Sequence, residues 1–295
     1  MKKIQLISDS TCDLSPLLVK KVDLDIVALG VTLNQKTYLD GINLTPREMY
    51  KLVEETNEFP KTNAATPNAF YERFKKALDK NMAVLYTGLG SGFSKTFENA
   101  RLAKNLLEDE GYDVSDVVLV DSKNLSGGSG LLILKANLFK EQGLNVHEIA
   151  IKLEELIPRV RVQFVIDTLK YLHLGGRVSG LSNFVGSLLK IHPIIKVRNN
   201  KMEIGQKPRG KLEKGLDVLV SGFTKMKEQG YIDEDFMFIT HTESFDALNY
   251  LHAKLDELIT PIPISTEAGC VISSHCGPKC IGTLYILNEN YKGDD

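Results

Sequence analysis

The chain lacks any run of about 18 uninterrupted apolar residues, the length that a membrane-spanning helix needs. Its first residues, MKKIQLISDS, carry a basic pair, but Asp9 arrives too early for the apolar core of a secretory signal. These absences predict a cytoplasmic protein with no stable membrane insertion. Neither sign of charge dominates: 36 Lys and Arg stand against 38 Asp and Glu, a formal net charge of -2. Without a basic excess or block, the chain is poorly suited to neutralising phosphate backbones, so no nucleic-acid partner is expected. Cysteine is scarce: Cys12, Cys270, Cys276 and Cys280 are the four. A chain of 295 residues buries a core without disulfide staples, so reduced thiols are the expectation. Also missing are an acidic cluster suited to magnesium, paired metal-binding histidines and a clear Ser–His–Asp signature.

What is present reads as globular α/β. With 43% hydrophobic and 25% charged residues, a disordered or fibrous chain is excluded, and the length is about twice that of a usual domain. Strands are predicted at Lys3–Ile7, Asp25–Leu33, Met82–Thr87, Val117–Asp121 and Val160–Ile166. Helix starts lie between them: Thr45-Pro46-Arg47-Glu48 is a capping box with proline at the first helical position, Thr66-Pro67 repeats the pattern, and Ser94 precedes a helix running to Glu110. Strand–helix alternation predicts a parallel sheet covered on both faces. Beyond it come an apolar helix at Leu181–Ile191, strands at Ile194–Val197, Met202–Ile204, Phe236–Thr240, Ile262–Thr266 and Ile281–Leu287, and helices at Lys211–Gln229 and Ser244–Ile259. These predict a mixed sheet with helices on one face. The expected organisation is an N-terminal α/β domain, residues 1–157, and a C-terminal α+β domain, residues 158–290, divided near Pro158.

Five stretches are candidate sites. Tyr86 to Thr96 is glycine-rich, follows a strand and opens a helix, which suits a small anion; the alternative is a tight loop in which Ser94 caps its helix. It fails as a Walker A loop because Ser94 replaces the required glycine, and as a dinucleotide fingerprint because Phe93 does. Pro60 to Pro67 offers hydroxyls at a turn. Asp121 to Gly130 again follows a strand, and all three loops share the carboxyl edge if the sheet is parallel. Gly175-Gly176-Arg177 holds a cation or is a surface turn. Ser273 to Cys280 places His275 near three cysteines, but the spacing is not that of a structural zinc site. If the segment is a strand, His275 and Cys276 point to opposite faces, which weakens a cysteine-nucleophile reading.

Together these residues resemble the DegV family of bacterial fatty-acid-binding proteins, whose members include the FakB subunits of fatty acid kinase. The chain opens with Asp9-Ser10-Thr11-Cys12-Asp13-Leu14, similar to the family's D-S-[ST]-x-D-L; Asp121-Ser122 resembles its central D-S. Asp167-Thr168-Leu169 through Gly175-Gly176-Arg177 resembles D-T-L-x-Y-L-x-x-G-G-R, and His275-x-Gly277-Pro278 its T-H-x-G-P turn. The resemblance implies an apolar tunnel for one acyl chain. It implies that Thr62 and Ser94 meet the head group, with Arg177 and His275 behind them. The family's T-S-Q-P loop is here Thr62-Asn63-Ala64-Ala65, its S-G-T-Y-Q-S loop is Ser94-Lys95-Thr96-Phe97-Glu98-Asn99, and Lys279 and Cys280 replace small residues.

The expected function is therefore that of a carrier without a cofactor. It would hold a long-chain fatty acid such as palmitate and present the carboxylate to a separate ATP-dependent kinase, whose acyl phosphate product feeds phospholipid synthesis. Each buried CH₂ is worth about 0.8 kcal/mol, so the tail supplies most of the affinity. Phe184 to Leu189 and Ile191 are expected to line the tunnel or to be ordinary core. Lys201, Lys207, Arg209, Lys211 and Lys214 form either a docking segment for the kinase or a solvated face. The competing reading is an enzyme acting on a small carboxylate or phosphate, with His275 as acid/base and Ser94 as binder or nucleophile.

Overall fold

The computed structural model describes residues 2–177 and 191–292. The expected helix at Leu181–Ile191 and the tunnel residues Phe184 to Leu189 lie almost wholly outside them. The first half runs β1 (Ile4–Asp9), α1 (Pro16–Lys21), β2 (Leu24–Val27), β3 (Gly30–Leu33), β4 (Lys36–Leu39), α2 (Pro46–Thr56), β5 (Lys61–Asn63), α3 (Pro67–Leu78), β6 (Ala83–Thr87), α4 (Thr96–Asp109), β7 (Val117–Val120), α5 (Gly127–Glu141) and α6 (Val146–Leu156). The second half follows with β8 (Val160–Val165), α7 (Lys170–Gly175), β9 (Ile194–Arg198), β10 (Lys201–Ile204), α8 (Glu213–Glu228), β11 (Ile232–Thr242), α9 (Phe245–Leu255), β12 (Ile264–Glu267), α10 (Cys270–Cys276) and β13 (Cys280–Leu287).

The fold is α/β. A parallel sheet of order β2-β1-β6-β7 forms in the first half, and a mixed sheet of order β10-β9-β8-β13-β11-β12 in the second. Every residue of β6 is buried, as expected of a strand covered on both faces. The predicted strand Asp25–Leu33 is two strands. The chain breaks at Ala28-Leu29, leaving β2 in the parallel sheet and β3 at the centre of a small antiparallel sheet, β4-β3-β5. Strands β4 and β5 were not predicted, because Lys36–Leu39 and Lys61–Asn63 are short, polar and largely exposed.

Helix α5 lies between the two large sheets. Its residues from Gly127 to Asn137 are buried, as for a helix apolar all round. The glycines at its start are there for packing: a Cβ on Gly127 would stand 2.7 Å from Phe238. Farther along, the Lys135 ammonium meets Asp233 at 2.5 Å and Asp235 at 2.6 Å, tying the helix to β11. The mixed sheet thus has α8 and α9 on one face and α5 on the other, where helices were expected on one face alone.

Helix α10 is absent from the expected elements, and the strand considered for His275 and Cys276 is a helix. Val271 and Ile272 favour a strand locally, but tertiary contacts override that preference. Buried Asp13 accepts from the Gly269 N–H at 2.8 Å, and buried Asp40 from the Cys270 N–H at 2.6 Å. Side-chain oxygens that accept from the otherwise free N–H groups of a helix start stabilise it. Burial raises the pKa of both acids. Although it follows β12, α10 packs against α2, β3 and β5 of the first half.

Candidate functional site

Thr62, Ser94, Arg177 and His275 all line one cavity of about 360 Å³. Four separate elements bring them there. Thr62 lies on β5, paired with Val31 of β3, and not in a free loop. Ser94 precedes α4, Arg177 follows α7, and His275 is in the last turn of α10. Successive helical residues are about 100° apart, so Val271, Ile272, His275 and Cys276 all reach the same space. Leu29, Leu89, Phe93, Leu125 and Met202 complete an apolar wall.

The polar end has a definite hydrogen-bond order. His275 Nε2 is 3.0 Å from Thr62 Oγ1, while Nδ1 is buried without a partner. Close by, Gly175 leaves room for the imidazole, since a Cβ there would collide with Nδ1. Burial, and secondarily the Arg177 charge, lowers the His275 pKa to about 4, so the ring is neutral near pH 7. A buried orphan N–H costs more than a bare acceptor, which puts the proton on Nε2. His275 then donates to Thr62 Oγ1, and the Thr62 O–H is left to donate into the cavity. At Ser94 the Thr96 N–H donates to Oγ at 3.2 Å, and the two hydroxyls are 2.9 Å apart. Thr96 is fully buried; where its hydroxyl is the donor to Ser94, the Ser94 O–H is also free to donate. Ser94 caps the helix and lines the cavity, as both of its readings proposed. Two hydroxyl donors over an apolar chamber suit a carboxylate. Arg177 is exposed and donates to the Gly175 carbonyl at 2.6 Å.

Leu125, Ile272 and Cys276 also border a second apolar space of about 30 Å³, lined besides by Val162, Phe164 and Leu284. It has room for about one water-sized group. Ile191, an expected tunnel residue, is bridged to Arg209 and lines neither space. Arg209 itself is exposed and does not line the cavity, nor do the exposed Lys201, Lys207, Lys211 and Lys214.

The other glycine loops serve the fold. Asp9 accepts from the Thr11 N–H and hydroxyl, the Tyr86 hydroxyl and the Leu89 N–H, fixing the first loop from below. Ser122 donates to the Gly88 carbonyl at 2.5 Å. Asp121 accepts from Ser91. Leu125 is the residue of the 121–130 stretch that reaches the cavity. Among the described residues no group of three His, Cys, Asp or Glu is placed to hold a metal. The sequence reading also missed a Ser265–His252–Asp256 chain, with both hydrogen bonds at 2.7 Å, because helix and edge strand bring its members together only in space. It joins α9 to β12 and lines neither space. No described helix is long and apolar enough to cross a membrane.

Comparison with known proteins accords with this architecture. The family profile described as "Uncharacterised protein, DegV family" matches residues 3–288. A DegV domain-containing protein of Clostridium acetobutylicum is 33% identical over 286 residues, spanning 97% of this chain and 99% of its own. Among solved structures, a DegV family protein from Thermus thermophilus, reported for its fatty acid binding, aligns with a TM-score of 0.86 and 28% identity over 98% of this chain and 100% of that one. A DegV lipid binding protein from Thermotoga maritima aligns with a TM-score of 0.82 and 26% identity, covering 97% and 98% of the two chains. With nearly its whole length matched in sequence and in fold, the chain belongs to the DegV family.

Proposed function

We propose that this protein is a fatty-acid carrier that presents the acid group of its ligand to a separate ATP-dependent kinase. The observation that carries the reading is the cavity itself: a largely apolar chamber with the Thr62 and Ser94 hydroxyls in its lining and a second small apolar space beside it. In this reading Thr62 and Ser94 hold the carboxylate. Neutral His275 orients Thr62, and Arg177 contributes positive charge at the rim. Residues 1–157 supply the head-group loops, and residues 158–290 supply α10, Met202 and the deeper walls. The fatty acid binding reported for the Thermus thermophilus relative supports the ligand class. The kinase, the acyl phosphate and its use in phospholipid metabolism rest on family resemblance. The competing enzyme reading draws less support, because His275 is bonded to Thr62 and not to Ser94, whose partner is Thr96.

Native mass spectrometry of protein purified from cells is expected to show a bound mass in the fatty-acid range, or uptake of added palmitate; a protein that stays empty refutes the carrier. The variant Thr62→Ala with Ser94→Ala is expected to lose its preference for palmitate over the corresponding fatty alcohol by about tenfold, with smaller loss of total hydrophobic binding. Undiminished discrimination would show that the acid group lies elsewhere.

A further inference from the structure

The glycine-rich loop between β6 and α4 is filled by protein. The β9–β10 hairpin turns at Asn199 and Asn200, both in the left-handed region with φ of 47° and 63°, and its tip enters that loop. Asn200 Nδ2 donates to Ser91 Oγ at 2.8 Å, and Ser91 Oγ donates onward to Asp121 Oδ2 at 2.6 Å. A Cβ on Gly90 would lie 2.6 Å from Asn200 Oδ1, and one on Gly92 would collide with the Asn200 carbonyl oxygen. The two glycines therefore make room for the turn. Because Asn200 Oδ1 is buried without a partner, the amide holds through its N–H side.

Two residues past the tip, Met202 forms part of the cavity wall. Strand β10 ends its sheet and pairs with β9 alone. The outer side of the turn borders a solvent cleft of about 510 Å³ that also touches Lys123 and Arg198. The hairpin thus stands between the cavity, at Met202, and the solvent cleft, at Val197 to Asn199, and its tip is pinned to the first half through Ser91.

We propose that Asn200, Ser91 and Asp121 form a latch that holds the Met202 wall over the cavity, making Asn200 a positioning residue for ligand exchange. The proposal rests on the carrier reading. Its test follows release of a fluorescent fatty acid from loaded protein into excess phosphatidylcholine vesicles by stopped flow. Asn200→Asp sets a second carboxylate against Asp121 and is expected to release ligand about tenfold faster. Adding Asp121→Asn reverses the direction of the hydrogen-bond chain and is expected to restore release to within about twofold of wild type. Unchanged release in the single variant, or a double variant as fast as the single, overturns the latch. If wild type takes up no fatty acid, the carrier reading fails, and the latch is read in ligand-free protein by hydrogen exchange. There, amides 194–204 are expected to exchange faster in Asn200→Asp and to recover in the double variant; unaltered exchange overturns the latch independently.

Discussion

At the scale of single residues, His275 is where environment changes chemistry most. Its folded pKa of about 4 lies below the ordinary histidine value near 6.5. Folding therefore favours the neutral ring. The contribution to stability is present above about pH 6.5 and is lost as pH falls towards 4, by up to about 3 kcal/mol. Asp13 and Asp40 run the other way: their raised pKa values make their contribution greatest when protonated, and it fades as pH rises. The informative quantity is the difference between His275→Gln and wild type in urea unfolding between pH 7 and pH 4. Relative to wild type, the variant is expected to gain stability on the acid side; an identical pH slope would contradict a buried neutral imidazole. His275 was legible as a candidate from the His-x-Gly-Pro pattern. Its hydrogen bond to Thr62 was not, because 213 residues separate the partners.

At the scale of elements, sequence patterns revealed strong periodicity and clear caps. The capping box at Thr45 and Glu48 forms as predicted, with both hydrogen bonds in place. Elements held by their neighbours were less visible. Helix α10 depends on Asp13 and Asp40, and β5 depends on β3. The glycines of α5 looked like a ligand loop because close approach to a ligand and close approach to a sheet require the same missing side chain. Gly127→Ala tests the packing role. The added carbon would press on Phe238 and lie 3.0 Å from Thr240 Oγ1. A loss of about 1–3 kcal/mol in urea unfolding is expected, and a change below about 0.5 kcal/mol would mean that the sheet yields without strain.

At the scale of the whole molecule, the polar end of the cavity and the basic segment of residues 201–214 are separate features. If the segment docks the kinase, Arg209→Glu is expected to reduce capture of the cognate kinase in a pull-down while leaving palmitate uptake within about twofold, since Arg209 does not line the cavity. Unchanged capture rejects the docking role. The four candidate head-group residues were identifiable because the family motifs mark them one by one. The wall they share was not, since Leu29, Met202 and Val271 carry no motif and come from distant parts of the chain.

The seating of α10 has a consequence for biosynthesis. Residues 270–276 are made after every other residue of the chamber's wall, yet they supply the imidazole and part of the wall of a chamber whose other side belongs to the first half. A nascent chain still on the ribosome therefore carries an unfinished greasy trough. The vessel closes only when α10 threads back to Asp13 and Asp40.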